Sequence, residues 1–287
     1  MAKHPPLQRL PNELVRDIIE YSFSGSTEEL ARLCLVSSAV RAWVQPVLYR
    51  TVFLGSRSQV DSFVLACSTS RSGEHTSSLS LTPPGPEPAL AQGKVDRLLQ
   101  CVSNLKNLRI WASGLPYVTG TYNASHLYIS GTIHHSYWQR SVVAPHVTHL
   151  FIEDPYCPNS MNPAYAQHLF PALTHAGFVA RPFIAGLFLR FARDWLANPT
   201  LQRLNIIIVY NDEKEGADHL PAFLPLLQVL QDARVHVFSA DSYALLPAVD
   251  AVSSIRRARL AGADLGSDAL RGTRDVWSLG VPLWPAQ

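Results

Sequence analysis

A short pattern of apolar positions returns along this chain: an apolar residue, two others, an apolar residue, one other, and a third apolar residue. Clear copies are Tyr49-Val52-Leu54, Leu105-Leu108-Ile110, Ala124-Leu127-Ile129, Val147-Leu150-Ile152 and Leu201-Leu204-Ile206. In each copy the last two positions have the spacing of one face of a β-strand. Weaker copies occupy residues 76–81 ("TSSLSL"), 170–175 ("FPALTH") and 232–237 ("DARVHV"). The period is therefore that of a strand followed by a helix or loop.

Helical periodicity fills several of the intervals. "RSQVDSFVLACSTS", "PALAQGKVDRLLQCVSN", "RPFIAGLFLRFARDWLANP" and "GADHLPAFLPLLQVLQDA" each place their apolar residues on one face. Strand, helix, strand in this order predicts parallel strands side by side with helices along one wall, an α/β fold. From Ser113 to Pro163 the helical pattern fades into Pro, Gly and polar residues, which predicts loop-connected strands. "SLTPPGPEPALAQG" reads as an exposed connection within the array.

The N-terminal part follows a different rule. Pro11, Leu14, Val15, Ile18 and Ile19 form an apolar helical stripe, predicting a helix from about Pro11 to Tyr21 with proline in the first turn. "SFSGS" breaks it. Ser26 with Glu29 reads as a capping box opening a second helix, on which Leu30, Leu33 and Cys34 share a face. Ser37 or Ser38 caps a third, carrying Val40, Trp43, Val44, Val47 and Leu48, which Pro46 is expected to break near Gln45. "RTVFL" beyond it is a strand candidate.

With these residues in place, the segment "LPNEL...II" followed by "LARLCLVSSAVRAWVQPVLYRTVFL" resembles an F-box of the kind found in fungal proteins, one that runs into leucine-rich-repeat-like sequence. The resemblance spans residues 10–54. It rests on Leu10-Pro11 with Glu13 and Leu14, on Ile18 one turn on, and on Leu33, Cys34, Val36 and Ser37 with Arg41. Copies of the strand pattern start at 49, 76, 105, 124, 147, 170, 201 and 232, intervals near the roughly 20–29 residues of leucine-rich repeats. The asparagine that normally follows such a repeat strand is missing, so an ordinary α/β sheet is the alternative reading. The resulting division is a tail at 1–9, the F-box-like helices at 10–54, a degenerate leucine-rich-repeat-like strand/helix solenoid at 55–252, and a cap or partly disordered tail at 253–287.

Such a resemblance implies docking on a Skp-type adaptor, and through it on a cullin-RING complex, by Leu10, Pro11, Leu14, Ile18, Leu30, Leu33 and Val36. Three helices in about forty residues enclose too little interior for all the apolar residues they carry, which favours a partner surface. The contrasting reading is that the same residues pack only against each other and the next domain. Stacked repeats offer a broad surface to a target protein, and Trp and Tyr concentrate binding energy at interfaces. Trp111, Tyr117, Tyr122, Tyr137 and Trp138 are the candidate target contacts, with gap-filling under loops as their alternative.

Composition narrows the function classes. Of 287 residues, 47% are hydrophobic, enough for a sizeable core, and the net charge is only +2. Basic residues are scattered without interleaved aromatics, which argues against a nucleic-acid partner. "MAKHPPLQRL" lacks an apolar signal core, and "FIAGLFLRFARDWL" is interrupted by Arg190 and Arg193 well short of the roughly 20 residues of a membrane span. The expectation is an intracellular protein of cytoplasm or nucleus with no membrane contact. Without an export signal, the sequon at Asn123 carries no weight.

Cys34, Cys67, Cys101 and Cys157 form no CxxC or Cys/His cadence and read as buried thiols. His134, His135, His146, His149 and Cys157 are the densest cluster of ligand-type residues. A strand over "HVTHLFI" would put His149 on the face opposite His146 and Leu150, so the histidines do not converge on a metal. No GxSxG, P-loop or GxGxxG occurs, and no catalytic residue or cofactor is assigned. The resemblance therefore implies a non-catalytic substrate-recognition subunit of an SCF-type ubiquitin ligase. Its rivals are a non-degradative scaffold using the same adaptor contact, and an enzyme with an unrecognised site.

Overall fold

The computed structural model describes residues 11, 13–14, 17–18, 27–81, 92–112, 123–130, 141, 143–152, 167–180, 185–208, 230 and 232–239. Each copy of the apolar pattern brings one strand into a single parallel sheet, and the strands lie side by side in chain order. They are β1 (Thr51–Leu54), β2 (Ser78–Leu81), β3 (Asn107–Trp111), β4 (His126–Ser130), β5 (His149–Ile152), β6 (His175–Ala180), β7 (Arg203–Ile208) and β8 (Val235–Ser239).

Register turns the sequence pattern into rows. Val52, Leu79, Leu108, Leu127, Leu150, Ala176, Leu204 and Val235 are successive cross-strand partners. A second row runs through Leu54, Leu81, Ile110, Ile129, Ile152, Phe178 and Ile206. Both rows are buried. The first apolar position of the copies, including Leu105, Ala124, Val147 and Leu201, is buried as well and closes the corner ahead of each strand. Every fully buried Leu or Ile contributes about 1.5–3 kcal/mol, so these rows dominate the stability of the sheet.

One expectation shifts here. The copy placed at residues 170–175 is displaced by three residues: Ala176 pairs with Leu150 and Phe178 with Ile152, so the true copy is Leu173-Ala176-Phe178. Ala176 and Gly177 are too small to give that strand a strong apolar signature. The strand expected at the end of the segment 10–54 is β1, which pairs with β2.

Helices cover the apolar face. The helix α3 (Arg57–Ser70) spans the stretch expected for it, and its N-cap Ser56 Oγ accepts from Gln59 N. With α4 (Gln92–Cys101) and α5 (Ala185–Leu196) it contributes Val60, Phe63, Val95, Leu98, Leu99, Phe191 and Trp195 to the same core as the strand rows. A 3-10 turn at Ser72–His75 joins α3 to β2. Residues 216–229 of the fourth helical stretch and the tail at 253–287 lie outside the described residues.

Ahead of β8, Arg234 ties the last strands to α5. Its guanidinium donates to the carbonyls of Leu196 (2.7 Å), Leu201 (3.0 Å) and Asn198 (3.2 Å) and to Asp232 Oδ2 (2.7 Å). Hydrogen bonding from Arg234 holds the Asp232 carboxyl below its usual range. Arg234→Met should cost about 2 kcal/mol in urea unfolding, because partly buried carbonyls lose a charged donor.

Two of the N-terminal helices pack on each other as a smaller unit. Residues 13, 14, 17 and 18 are helical, followed by α1 (Thr27–Leu33) and α2 (Ser38–Leu48). Ser37 caps α2, its Oγ accepting from Val40 N at 3.1 Å, whereas Ser26 lies outside the described residues. The helix does not break at Pro46: it runs on to Leu48, and Tyr49 N donates to Gln45 O. Only the last turn lies beyond this proline, so one forgone hydrogen bond is offset by Val47 and Leu48 packing on Leu30 and Val44. Contacts between α2 and the 3-10 turn join the unit to the sheet.

Candidate functional site

The second face of the sheet carries the chemistry. Where one face is apolar, the alternate positions are polar or aromatic, since side chains alternate along a strand. One row passes through Asn107, His126, His149, His175 and Arg203, each the cross-strand partner of the next. Beside it runs Arg109, Tyr128, Phe151, Gly177 and Asn205. Neither set contains a carboxylate.

Three adjacent histidines in register stack as a ladder. The rings of His126 and His149 have centroids 4.1 Å apart and 17° between planes; those of His149 and His175 are 4.2 Å apart and 13° between planes. A hydroxyl holds each ring from the residue before it. Ser125 Oγ lies 2.9 Å from His126 Nδ1, and Thr148 and Thr174 Oγ1 lie 2.8 Å from Nδ1 of His149 and His175.

Those hydroxyls are themselves committed. Thr148 Oγ1 donates to Ser125 O at 3.2 Å, and Thr174 Oγ1 donates to Thr148 O at 3.2 Å. A hydroxyl has one proton, so with that proton on the carbonyl it offers His149 and His175 only lone pairs. In that arrangement the ring hydrogen of His149 and of His175 sits on Nδ1. Burial, followed by the charges of His126 and His175, pushes the His149 pKa down to about 3. On β8, burial and then Arg203 lower that of His236.

His146 sits exposed in the turn before β5, while His149 lies on the face opposite Leu150. His134, His135 and Cys157 lie outside the described residues, and among the described residues no group of three His, Cys, Asp or Glu is arranged to hold a metal. The thiols of Cys34, Cys67 and Cys101 are free and partly buried. Burial raises the pKa of Cys34, and burial with the adjacent Cys101 pushes that of Cys67 up to about 11.

A separate apolar surface lies on the N-terminal helices. Leu14 and Ile18 are half exposed, and Leu35 and Val36, in the turn after α1, are 78% and 68% exposed. Pro11 is also exposed, and Leu10 lies outside the described residues. Arg41 Nε donates to Cys34 O at 3.0 Å, fixing the turn that presents Leu35 and Val36. Two residues expected at this surface face inward instead: Leu30 is buried against Val44, and Leu33 packs against that same cluster. Both belong to the α1 stripe that meets α2.

Of the aromatic target candidates, Trp111 ends β3, half-buried, opposite Ser130 of β4. Tyr117, Tyr122, Tyr137 and Trp138 lie outside the described residues. The sequence reading missed the histidine ladder. Its signal was present as a hydroxyl followed by His at the second and third positions of "ASHLYI", "VTHLFI" and "LTHAGF". The displaced reading of the last copy hid it.

No protein-family model matches this chain, and no curated protein matches it.

Proposed function

We propose that this chain is the substrate-recognition subunit of an SCF-type ubiquitin ligase, docking a Skp-type adaptor through its N-terminal helices and a target protein through a leucine-rich-repeat-like solenoid. The observation that carries the reading is the exposure of Leu35 and Val36, side by side in a turn held by Arg41, with Leu14 and Ile18 exposed on the preceding helix. Solitary exposed apolar residues are ordinary, but several on one small helical unit are the composition of a protein contact. One strand per sequence repeat, parallel and in chain order, supports the solenoid reading of the remainder. In this reading the chain performs no chemistry: it holds a target near a ubiquitin donor and raises their effective concentration.

The test is a pull-down with purified Skp-type adaptor, comparing the natural chain with a variant carrying Leu35→Ser and Val36→Ser. Both side chains are outside the core, so the variant should fold, with circular dichroism as the control. Loss of two apolar contacts should weaken adaptor binding about tenfold to a hundredfold. Undiminished binding by the folded variant removes these residues from the interface, and no adaptor binding by the natural chain removes the F-box assignment.

A further inference from the structure

We infer that the His126–His149–His175 ladder is a proton-sensitive latch, which holds β4, β5 and β6 together while neutral and loosens the middle of the sheet when a proton enters it. The geometry leaves the central ring little tolerance for charge. His149 is sandwiched between two imidazoles at 4.1 and 4.2 Å, and its Nδ1 is already engaged by the Thr148 hydroxyl at 2.8 Å. A further proton makes it an imidazolium pressed between two other imidazole rings.

On the described strands, the groups in register with it on this face include no carboxylate. On β4 the titratable groups of this face are His126 and Tyr128, and on β6 His175; one strand further out stand Arg109 on β3 and Arg203 on β7. All of these are neutral or positive near neutral pH. Protonation thus adds like charge to a basic pair of rows, and two hydroxyl-to-carbonyl links, from Thr148 to Ser125 O and from Thr174 to Thr148 O, join the strands that would have to separate.

The sign follows from linkage. His149 has its pKa lowered to about 3 in the folded chain, against about 6.5 when unfolded. Below pH 6.5 the unfolded or opened state takes up the proton first. Stability is therefore fully present above about pH 6.5 and is lost as pH falls toward 3. Allowing for solvent screening of a half-buried ring, the opening equilibrium of the central strands should rise roughly tenfold between pH 7 and pH 5.

The experiment is amide hydrogen exchange on the full chain at pH 7 and pH 5, corrected for intrinsic rates, beside His149→Phe, which keeps a ring in the stack without a titratable nitrogen. The expected result is a selective loss of protection on β4 to β6 relative to β1 to β3 at pH 5, absent in His149→Phe. Equal protection at both pH values in the natural chain overturns the latch, as does the same loss in a folded His149→Phe chain. If the variant does not fold, imidazole resonances of the natural chain decide. One ring staying neutral at pH 5 while protection falls on β4 to β6 supports the latch; every imidazole titrating between pH 6 and 7 overturns it.

Discussion

Trp195→Ala should lower the stability of the folded chain by about 3–5 kcal/mol, the cost of removing a large aromatic side chain from a closed core. Trp195 is only 1% exposed. Its ring lies 5.0 Å from Phe178 of β6 and 6.0 Å from Phe191 of α5, and Phe178 and Phe191 meet edge to face at 4.6 Å. The three rings clamp α5 onto the sheet, so truncation leaves a cavity that neither phenylalanine can fill without leaving the other. The indole Nε1 is buried without a hydrogen-bond partner, and Trp195→Phe should accordingly cost far less, about 1 kcal/mol. Urea unfolding of both variants measures the difference. An unchanged midpoint for Trp195→Ala would mean that the ring does not sit in this core.

Gly73→Ala should destabilise the chain by about 3 kcal/mol, a large effect for one methyl group. An added Cβ would lie 1.9 Å from the carbonyl oxygen of Cys101 and 3.1 Å from Cys67 Sγ. The nearest obstacle is backbone at the end of α4, which cannot rotate aside as a flexible side chain would. Relief requires the 3-10 turn and α4 to move apart, and α2 also rests on that turn. Thermal unfolding should show a fall of several degrees in Tm; Gly93→Ala, where the new methyl meets nothing within 4 Å, is the matched control. If both substitutions behave alike, the close approach at Gly73 is absent in solution.

Much of the strand architecture was legible because a strand buried on one face must repeat its apolar residues every second position, as in Leu127-Ile129 and Leu150-Ile152. Helix α3 was legible for the same kind of reason, since the apolar residues of 57–70 fall on one face. At β6 the pattern failed, since Ala176 and Gly177 are small and leave no apolar signal. Pro46 misled because the local cost of proline was outweighed by packing that only the folded chain supplies. On the N-terminal helices an apolar stripe marks what avoids water but not what covers it, so Leu30 and Val36 looked alike.

By itself the sequence determined the period of the chain, the α/β class and the alternation of apolar and polar faces, because these follow from local geometry and burial acting within one element. Cross-strand register belongs to the tertiary structure, since it depends on where each intervening segment returns the chain. That register brought His126, His149 and His175 into one stack and committed the hydroxyls beneath them. It also drove Trp195 into contact with Phe178 and left Gly73 no room for a side chain. Leu30 went inward while Leu35 and Val36 stayed in solvent, because α2 covers only one side of the turn that carries them.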